Sequence, residues 1–239
     1  MRVLEIWRYP VKSLRGERLH EAPVGLEGVQ GDRRYAIFDV TTGYGLTARR
    51  APELLFASAR LRSDGSAEIT LPDGSIADDD AALSGWLGRE VTLRSTEQVA
   101  QRRFENVEDF ENESDSQWEP FEGSSGAFQD SGEAAVSLLS RPSMREWEQQ
   151  RFRANIVLDE AGEGALVGIQ VKLGEAQLDV RTRLSRCVMT TRPQPGGIER
   201  NLDVLRTIHR ELDGCLAIGA VVLEPGPVKV GDAVLPSAD

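Results

Sequence analysis

The stretch that decides the fold is Gln177-Leu178-Asp179-Val180-Arg181-Thr182-Arg183, which runs into Leu184-Ser185-Arg186-Cys187. Apolar and polar residues alternate along it, as they do in a half-buried β-strand. The prolines and paired glycines of residues 192–197 then predict a turn or loop. Cys187 is therefore expected near the end of a strand, beside the cation of Arg186. Positive charge favours the thiolate, which is the form of cysteine that binds metals or attacks electrophiles.

Taken alone, Cys187 also fits a simple packing role, because free cysteine is among the most buried residue types. Cys187 and Cys215 are too few for a disulfide framework, and no histidine is spaced to complete a zinc site with them. Neither His20 nor His209 lies in a recognisable catalytic motif, so both are expected at the surface. The local sequence favours packing, and only the rest of the chain can change that balance.

The composition is that of an ordinary globular protein, with 239 residues of which 40% are hydrophobic and 28% charged. No apolar run is long enough to cross a bilayer and the N-terminus lacks a signal-peptide pattern, so we expect no membrane span and a cytoplasmic location. The net charge of −11 argues against nucleic acid as a partner, because binding a phosphate backbone needs a basic face. Any anionic ligand must instead meet a local cluster of cations.

Short apolar stretches separated by turn signals predict mainly β structure with a few short helices. A hairpin is expected over residues 35–49, and helices over 81–87, 143–150 and 202–212. In contrast, residues 101–133 are acidic and end in a stretch rich in Ser and Gly, which predicts a long loop. That loop is either a solvated linker or, as the sharper alternative, a lid or docking surface near an active site.

Two stretches place polar residues where a ligand could use them. Residues 152–158 predict a strand with Arg153 and Asn155 on one face, and both side chains need partners if that face is buried. Lys12-Ser13 follows a first strand over residues 3–9, and it is either a solvated turn or an anion site made by an ammonium, a hydroxyl and backbone N–H groups. The sequence around each position leaves both alternatives open.

Five motifs, each weak alone, follow one another along nearly the whole chain. They are Tyr9-Pro10-Val11-Lys12-Ser13, Gly31-Asp32-Arg33-Arg34-Tyr35 with Thr47-Ala48-Arg49, Phe152-Arg153-Ala154-Asn155-Ile156-Val157, Ser185-Arg186-Cys187-Val188-Met189-Thr190-Thr191 and Val228-Lys229-Val230-Gly231-Asp232. In this order and spacing they resemble the MOSC-domain family, named after the C-terminal domain of molybdenum cofactor sulfurases. The layout is most similar to that of the mitochondrial amidoxime-reducing component and its bacterial relatives.

The resemblance implies a molybdenum–molybdopterin cofactor (Moco), with Cys187 as the catalytic residue and the metal ligand. A soft thiolate suits such a metal, and the phosphate of the pterin needs cations. Arg49 is a less secure candidate, since a structural role is also open for it. The residues implied to bind the cofactor are Lys12, Ser13, Arg33, Ser140, Arg153, Asn155, Ser185 and Arg186.

The implied fold is a mainly β (α+β) arrangement with a MOSC β-barrel core, an N-terminal β-barrel subdomain and a few short helices. We expect the N-terminal β-barrel region at 1–112 and the MOSC domain at 113–239, with the opening strand packed on the core. The implied function is an oxidoreductase that reduces N-hydroxylated or other N-oxygenated small molecules with electrons from a separate ferredoxin- or cytochrome-like donor. The alternative is a cofactor carrier or sulfur-transfer protein in which Cys187 is a persulfide or a ligand without redox turnover. A MOSC fold that has lost its cofactor is a third possibility.

Overall fold

The computed structural model describes residues 1–237, and this part of the chain is mainly β. The helices are α1 (Asp80–Leu87) and α2 (Leu202–Leu212). The strands up to residue 122 are β1 (Val3–Arg8), β2 (Glu17–Leu19), β3 (Glu21–Gly25), β4 (Gly28–Val29), β5 (Tyr35–Asp39), β6 (Ser58–Leu61), β7 (Ala67–Thr70), β8 (Ile76–Ala77), β9 (Val91–Ser95), β10 (Arg103–Val107) and β11 (Trp118–Glu122). The later strands are β12 (Val136–Ser140), β13 (Ile156–Leu158), β14 (Gln170–Leu173), β15 (Ala176–Ser185), β16 (Cys215–Glu224), β17 (Gly226–Lys229) and β18 (Val234–Pro236). The predicted mainly β fold class is confirmed.

The largest sheet combines the later strands with the opening one, in the order β18-β14-β15-β16-β12-β13-β1-β2. Its neighbours are antiparallel except for the parallel pair β12–β13. Ile6 of β1 lies opposite Ile156 of β13, and both are fully buried in the same hydrophobic cluster. Because β1 is bonded into this sheet, the chain that leaves it brings Lys12 and Ser13 beside the later strands.

The region between residues 30 and 95 has a hydrophobic core of its own. Strand β5 pairs with β9, and β6, β7 and β8 form a small antiparallel sheet. Leu83 and Leu87 of α1 pack into this core together with Leu54 and Ile69. The two halves are also joined by β3, which pairs with β17. The expected division between residues 112 and 113 falls in the turn that connects β10 to β11, and it stays a prediction.

Both helices are capped by short polar side chains, as expected. Asp79 caps α1 by accepting a hydrogen bond from the Ala82 N–H, one residue earlier than the sequence suggested, and Gly88 ends the helix in a left-handed conformation. Asn201 caps α2 by accepting a hydrogen bond from the Asp203 N–H. Helix α2 is amphipathic and buries Val204, Leu205 and Ile208 against the large sheet and the loop after Cys187. Neither helix of residues 1–237 is long and apolar enough to cross a bilayer.

One predicted hairpin is shorter than expected, and one predicted helix is wrong. The hairpin over residues 35–49 forms only next to its turn, where the Asp39 N–H donates to the Tyr44 carbonyl and the Leu46 N–H donates to the Ile37 carbonyl. The rest of the returning segment is not a strand, and β5 takes β9 as its strand partner. The helix over residues 143–150 is replaced by short 3-10 turns at Pro142–Met144 and Gln149–Arg151. Arg145 has a φ of 54° between them, which a continuous right-handed helix does not allow.

Three more elements differ in extent. The strand expected over residues 152–158 is limited to Ile156–Leu158, because Arg153 has a φ of 53° and cannot be extended. The acidic stretch expected to be a loop contains the hairpin β10–β11, anchored by the buried ring of Phe104 among other phenylalanines. The sequence also predicts a closing strand over residues 228–235 with a bend at Gly231-Asp232, and this strand is divided into β17 and β18, which belong to different sheets.

Candidate functional site

A cleft of about 420 Å³ lies where the loops after β1 and β15 meet the region around β10. The structure brings seven of the implied site residues to its walls, namely Lys12, Ser13, Arg33, Arg153, Ser185, Arg186 and Cys187. A larger cavity, of about 760 Å³, is lined by residues such as 23–32 and 225–227 and contains none of the implied site residues. The chemistry predicted from the sequence therefore belongs to the smaller cleft.

Cys187 stands at the point where the long strand β15 leaves the sheet. The last paired residue is Ser185, opposite Cys215, and the Arg186 N–H still donates to the Gly214 carbonyl. A 3-10 turn at Val188–Thr191 follows and directs the chain away from the sheet. The sulfur of Cys187 is half-buried, and the Nε of Arg49 donates a hydrogen bond to it over 3.4 Å. This strand end presents a thiol to the cleft with a cation in contact.

Three residues on the cleft walls have a left-handed backbone that side chains other than glycine rarely adopt. The φ angles are 70° at Ser13, 48° at Arg33 and 53° at Arg153. Each costs about 1–2 kcal/mol and persists only where surrounding contacts require it. The contacts are visible, since the Ser13 hydroxyl accepts from the Ala48 N–H and the Arg33 N–H donates to the Tyr9 carbonyl. Such concentrated strain is typical of a functional site.

The arginines at the base of the cleft are buried and share few acceptors. Arg33 pairs with Asp32, and its Nη2 donates to the Arg153 carbonyl at 3.0 Å. Arg153 donates from Nη1 to the Leu14 carbonyl at 2.6 Å and stacks over the Tyr9 ring at 4.3 Å. Within residues 1–237, the buried Nη2 atoms of Arg153 and Arg186 have no hydrogen-bond partner. These donors are free to meet acceptors from a ligand.

Burial explains the main pKa shifts in this cluster. Burial, together with the charge of the neighbouring Arg33, lowers the pKa of Arg153 to about 10. Burial also lowers the pKa of Arg186 to about 10, against the opposing effect of Cys187. The pKa of Tyr9 is raised to about 12 by burial, although Arg153 and Arg33 oppose the shift. The cluster therefore holds more positive charge than its own carboxylates balance.

The cleft also contains Arg49, the less secure candidate of the sequence, and Asp130, which the sequence did not single out. Asp130 bridges two cations, because it accepts from Lys12 Nζ at 2.6 Å and from Arg49 Nη2. Desolvation of this half-exposed carboxyl group would favour the neutral acid, but the charges of Arg49 and Lys12 hold the pKa of Asp130 well below its usual range. Burial also lowers the pKa of Lys12, although Asp130 opposes that shift. The sequence did not single out Asp130, because it is one of many acidic residues in this stretch and belongs to none of the motifs.

Ser140 and Asn155 lie outside the walls of the cleft. Ser140 is fully buried and donates to the Glu163 carboxylate at 2.5 Å, on the far side of β12. Asn155 Oδ1 accepts from the Ser137 hydroxyl at 2.9 Å and lies 3.5 Å from Arg33 Nη1. Asn155 can therefore orient Arg33, whereas the side chain of Ser140 is bonded to Ser143 and Glu163.

The loop after Cys187 is held from behind by an arginine that sequence reasoning missed. Arg151 donates to the carbonyls of Thr190, Arg192 and Glu199, and its Nε pairs with Glu148 at 2.7 Å. Three carbonyls on one side chain fix the path of the loop and hence the position of the thiol. The only sequence signal for Arg151 is its position directly before the motif that contains Arg153.

The turn between β10 and β11 reaches across to the loop after Cys187 and to α2. Glu113 pairs with the buried Arg192 and with Arg200. Glu111 pairs with Arg206 at 2.6 Å. Phe110 stacks on His209 with ring centroids 5.6 Å apart, and both rings line the cleft. His209 is exposed as predicted, but it forms part of the outer wall. The acidic stretch thus borders the site, as the lid alternative requires.

A strand-end thiol faces a cleft of buried cations within a mainly β fold of two joined halves, and such a cleft can accommodate an anionic ligand or cofactor. Comparison of the sequence with known families identifies the family of the chain. The MOSC N-terminal beta barrel domain matches residues 1–114 and the MOSC domain matches residues 123–235, so the chain belongs to the MOSC family. MOSC domains are associated with binding of the molybdenum cofactor in some members.

Comparisons with individual proteins show only distant similarity. No curated protein matches the chain. Among solved structures, YiiM from Geobacillus stearothermophilus is 16% identical, with 44% of this chain and 55% of that chain covered and a TM-score of 0.36. The YuaD protein from Bacillus subtilis is 11% identical, with 100% and 96% covered and a TM-score of 0.46. A hypothetical protein is also 11% identical, with 100% and 69% covered and a TM-score of 0.47. The chain thus spans about half the length of YiiM.

Proposed function

We propose that this protein binds the molybdenum cofactor in the cleft and uses it to reduce N-hydroxylated or other N-oxygenated small molecules. The observation that carries the proposal is the position of the Cys187 sulfur, which faces a cleft whose buried arginines have unpartnered donors. The family membership supports the cofactor class, and the resemblance of the motifs supports the reaction.

The residues present fit such a group. Cys187 would supply the thiolate ligand, and a soft sulfur donor suits molybdenum. The unpartnered Nη2 atoms of Arg153 and Arg186 would meet the oxygen acceptors of the pterin and its phosphate. Lys12, Ser13 and Arg33 line the same cleft and would add donors. Ser185 precedes the thiol on the wall, and Asn155 would act by orienting Arg33.

When bound, the cofactor would supply the redox centre, and the reaction would convert an N-hydroxyl group, two electrons and two protons into the amine-type product and water. The chain positions the reacting groups and sets the charge around them. Arg49 places a cation against the Cys187 sulfur, and Arg151 fixes the loop that follows. Electrons would come from a separate ferredoxin- or cytochrome-like protein, because two cysteines cannot hold an iron–sulfur cluster of four thiolates.

The test is molybdenum content and reductase turnover in matched cysteine variants. Cys187→Ser should lower bound molybdenum by at least about tenfold, the scale of loss expected when a metal site is damaged. Cys215→Ser, which removes the other thiol from the neighbouring strand, should leave it unchanged. Metal is measured by elemental analysis, and turnover by loss of an N-hydroxylated amidine with a reduced dye as donor.

Three outcomes separate the alternatives. Metal with turnover supports the oxidoreductase, and metal without turnover, or a persulfide on Cys187, supports a carrier or sulfur-transfer protein. Equal molybdenum in both serine variants would refute Cys187 as the ligand. Wild-type protein that stays free of metal in a host known to load other molybdenum proteins would refute cofactor binding.

A further inference from the structure

The carboxylate of Asp130 lies in the middle of the cation cluster, but its surroundings are not those of a buried structural ion pair. Its side chain is 49% exposed, whereas the Lys12 and Arg49 side chains that it bridges are buried. The Lys12 ammonium is also held by the Phe128 carbonyl at 2.9 Å. The bridge therefore joins two fixed cations to one carboxylate that faces the open side of the cleft.

The cleft is short of negative charge even with Asp130 in place. Five cations line it, namely Lys12, Arg33, Arg49, Arg153 and Arg186. Against them stand Glu108 on the wall and, among the described residues, the paired carboxylates of Asp32 and Asp130. Asp32 is fully committed, since one oxygen accepts from the Tyr9 N–H and the other pairs with Arg33. Asp130 is thus the carboxylate that an incoming anion could replace.

The backbone around Asp130 allows the exchange. On one side, the Phe128 N–H donates to the Arg33 carbonyl at 2.7 Å, and the Phe128 ring is buried. On the other, the Gln129 side-chain amide donates to the Ala135 carbonyl at 2.9 Å and closes a short loop of residues 130–134. Both anchors lie outside the bridge, so Asp130 can turn towards solvent without breaking either of them.

We infer that Asp130 is an internal anion that occupies an oxyanion subsite between Lys12 and Arg49, and that a phosphate group takes its place when ligand binds. The subsite adjoins Cys187, because Arg49 contacts both the carboxylate and the sulfur. The inference rests on the proposed function in one respect, since the phosphate can be that of the cofactor. Free inorganic phosphate has the same chemistry and is the probe for the test.

The test is phosphate affinity of the purified protein by calorimetry. Asp130→Asn should bind inorganic phosphate at least about tenfold more tightly than wild type, because the competing charge is removed while the shape is kept. Asp115→Asn is the matched control, since it makes the same charge change at an exposed side chain in the acidic stretch, and its affinity should stay within about twofold. If Asp130 instead holds the cations in place, Asp130→Asn binds phosphate equally or more weakly, and the inference fails.

A second measurement does not depend on any variant. In a crystal of wild-type protein grown with phosphate, the ion should lie between Lys12 Nζ and the Arg49 guanidinium, with Asp130 turned to solvent. An intact Asp130 bridge with phosphate elsewhere, or with none bound, would overturn the inference.

Molybdenum content measured in parallel separates this inference from the proposed function. If Asp130→Asn binds phosphate more tightly but the wild type contains no molybdenum, the subsite is supported and cofactor binding is refuted. If the wild type contains molybdenum but the variant has unchanged phosphate affinity, cofactor binding is supported and the replacement of Asp130 by phosphate is refuted. When both hold, loss of phosphate binding in cofactor-loaded protein assigns the subsite to the cofactor's phosphate, and retained binding assigns it to a free oxyanion.

Discussion

Arg151 and Arg153 are two residues apart and similarly buried, with 2% and 6% of their surfaces exposed, but their guanidinium groups have different surroundings. Arg151 meets three backbone carbonyls and a glutamate. Arg153 meets one carbonyl and the face of an aromatic ring, and its Nη2 has no hydrogen-bond partner in the part of the chain that the structure describes. Arg151 thus binds the backbone of the loop after Cys187, whereas Arg153 lies on the wall of the cleft.

The difference shows that hydrogen-bond partners distinguish a structural buried arginine from one that binds a ligand. A guanidinium whose donors are all paired stabilises the structure around it, whereas an unpaired one is costly and is retained only if something else meets it. The backbone agrees, because Arg151 ends a right-handed 3-10 turn while Arg153 has a φ of 53°. Arg151 is therefore a support for the loop after Cys187, and Arg153 is poised for a ligand.

The largest expected effect is on stability when each arginine is replaced by methionine, which keeps much of the apolar stem. Arg151→Met should cost about 3–4 kcal/mol, because three buried carbonyls lose their donor. Arg153→Met should change the free energy of unfolding by no more than about 1 kcal/mol, since loss of the bond to Leu14 is offset by removal of a poorly paired buried charge. Urea unfolding at neutral pH without phosphate measures both, and equal losses would break the comparison.

The ring beneath Arg153 gives a smaller, pH-dependent effect. Because the pKa of Tyr9 is raised from 10.0 to about 12 by burial, the unfolded chain ionises first as the pH rises. The folded state is thus fully favoured below pH 10, and roughly 2–3 kcal/mol is lost between pH 10 and 12.

Tyr9→Phe should abolish this alkaline loss, which unfolding curves at several pH values would show as a flatter dependence than that of wild type. The lowered pKa values of Arg153 and Arg186 act with the opposite sign in the same range, but both proteins share them. An unchanged slope in the variant would mean that this side of the cleft is wetter than the contacts indicate.

The smallest expected effect concerns the left-handed backbone away from the cleft. Asp213 follows α2 with a φ of 54°, close to that of Arg153, but its side chain is exposed and no ligand is proposed there. Asp213→Gly should stabilise the protein by about 0.5 kcal/mol, because glycine adopts this conformation without strain. Thermal unfolding measures the change. A loss of stability would show that the ion pair with Arg183 matters more than expected.

Much of the fold followed from patterns that act over short distances. The alternation in residues 177–183 gave β15, the cap at Asn201 and the apolar spacing gave α2, and the mainly β class was confirmed. The errors arose where tertiary contacts decide the backbone, as at Arg145 and Arg153, whose left-handed φ angles interrupt the expected helix and strand. The motifs correctly indicated seven residues that line one cleft. Ser140 lies elsewhere, where it donates a hydrogen bond to the buried Glu163.

The sequence by itself determined the strands, the capped helix and the motif residues, because alternation, caps and spacing are local properties of the chain. Only the tertiary structure decided that Asp130 bridges Lys12 and Arg49, that Arg151 supports the loop from behind and that the acidic turn reaches α2. Those contacts join residues from 39 to 118 positions apart. Whether a buried charge finds a partner depends on such distant neighbours, and no local pattern records them.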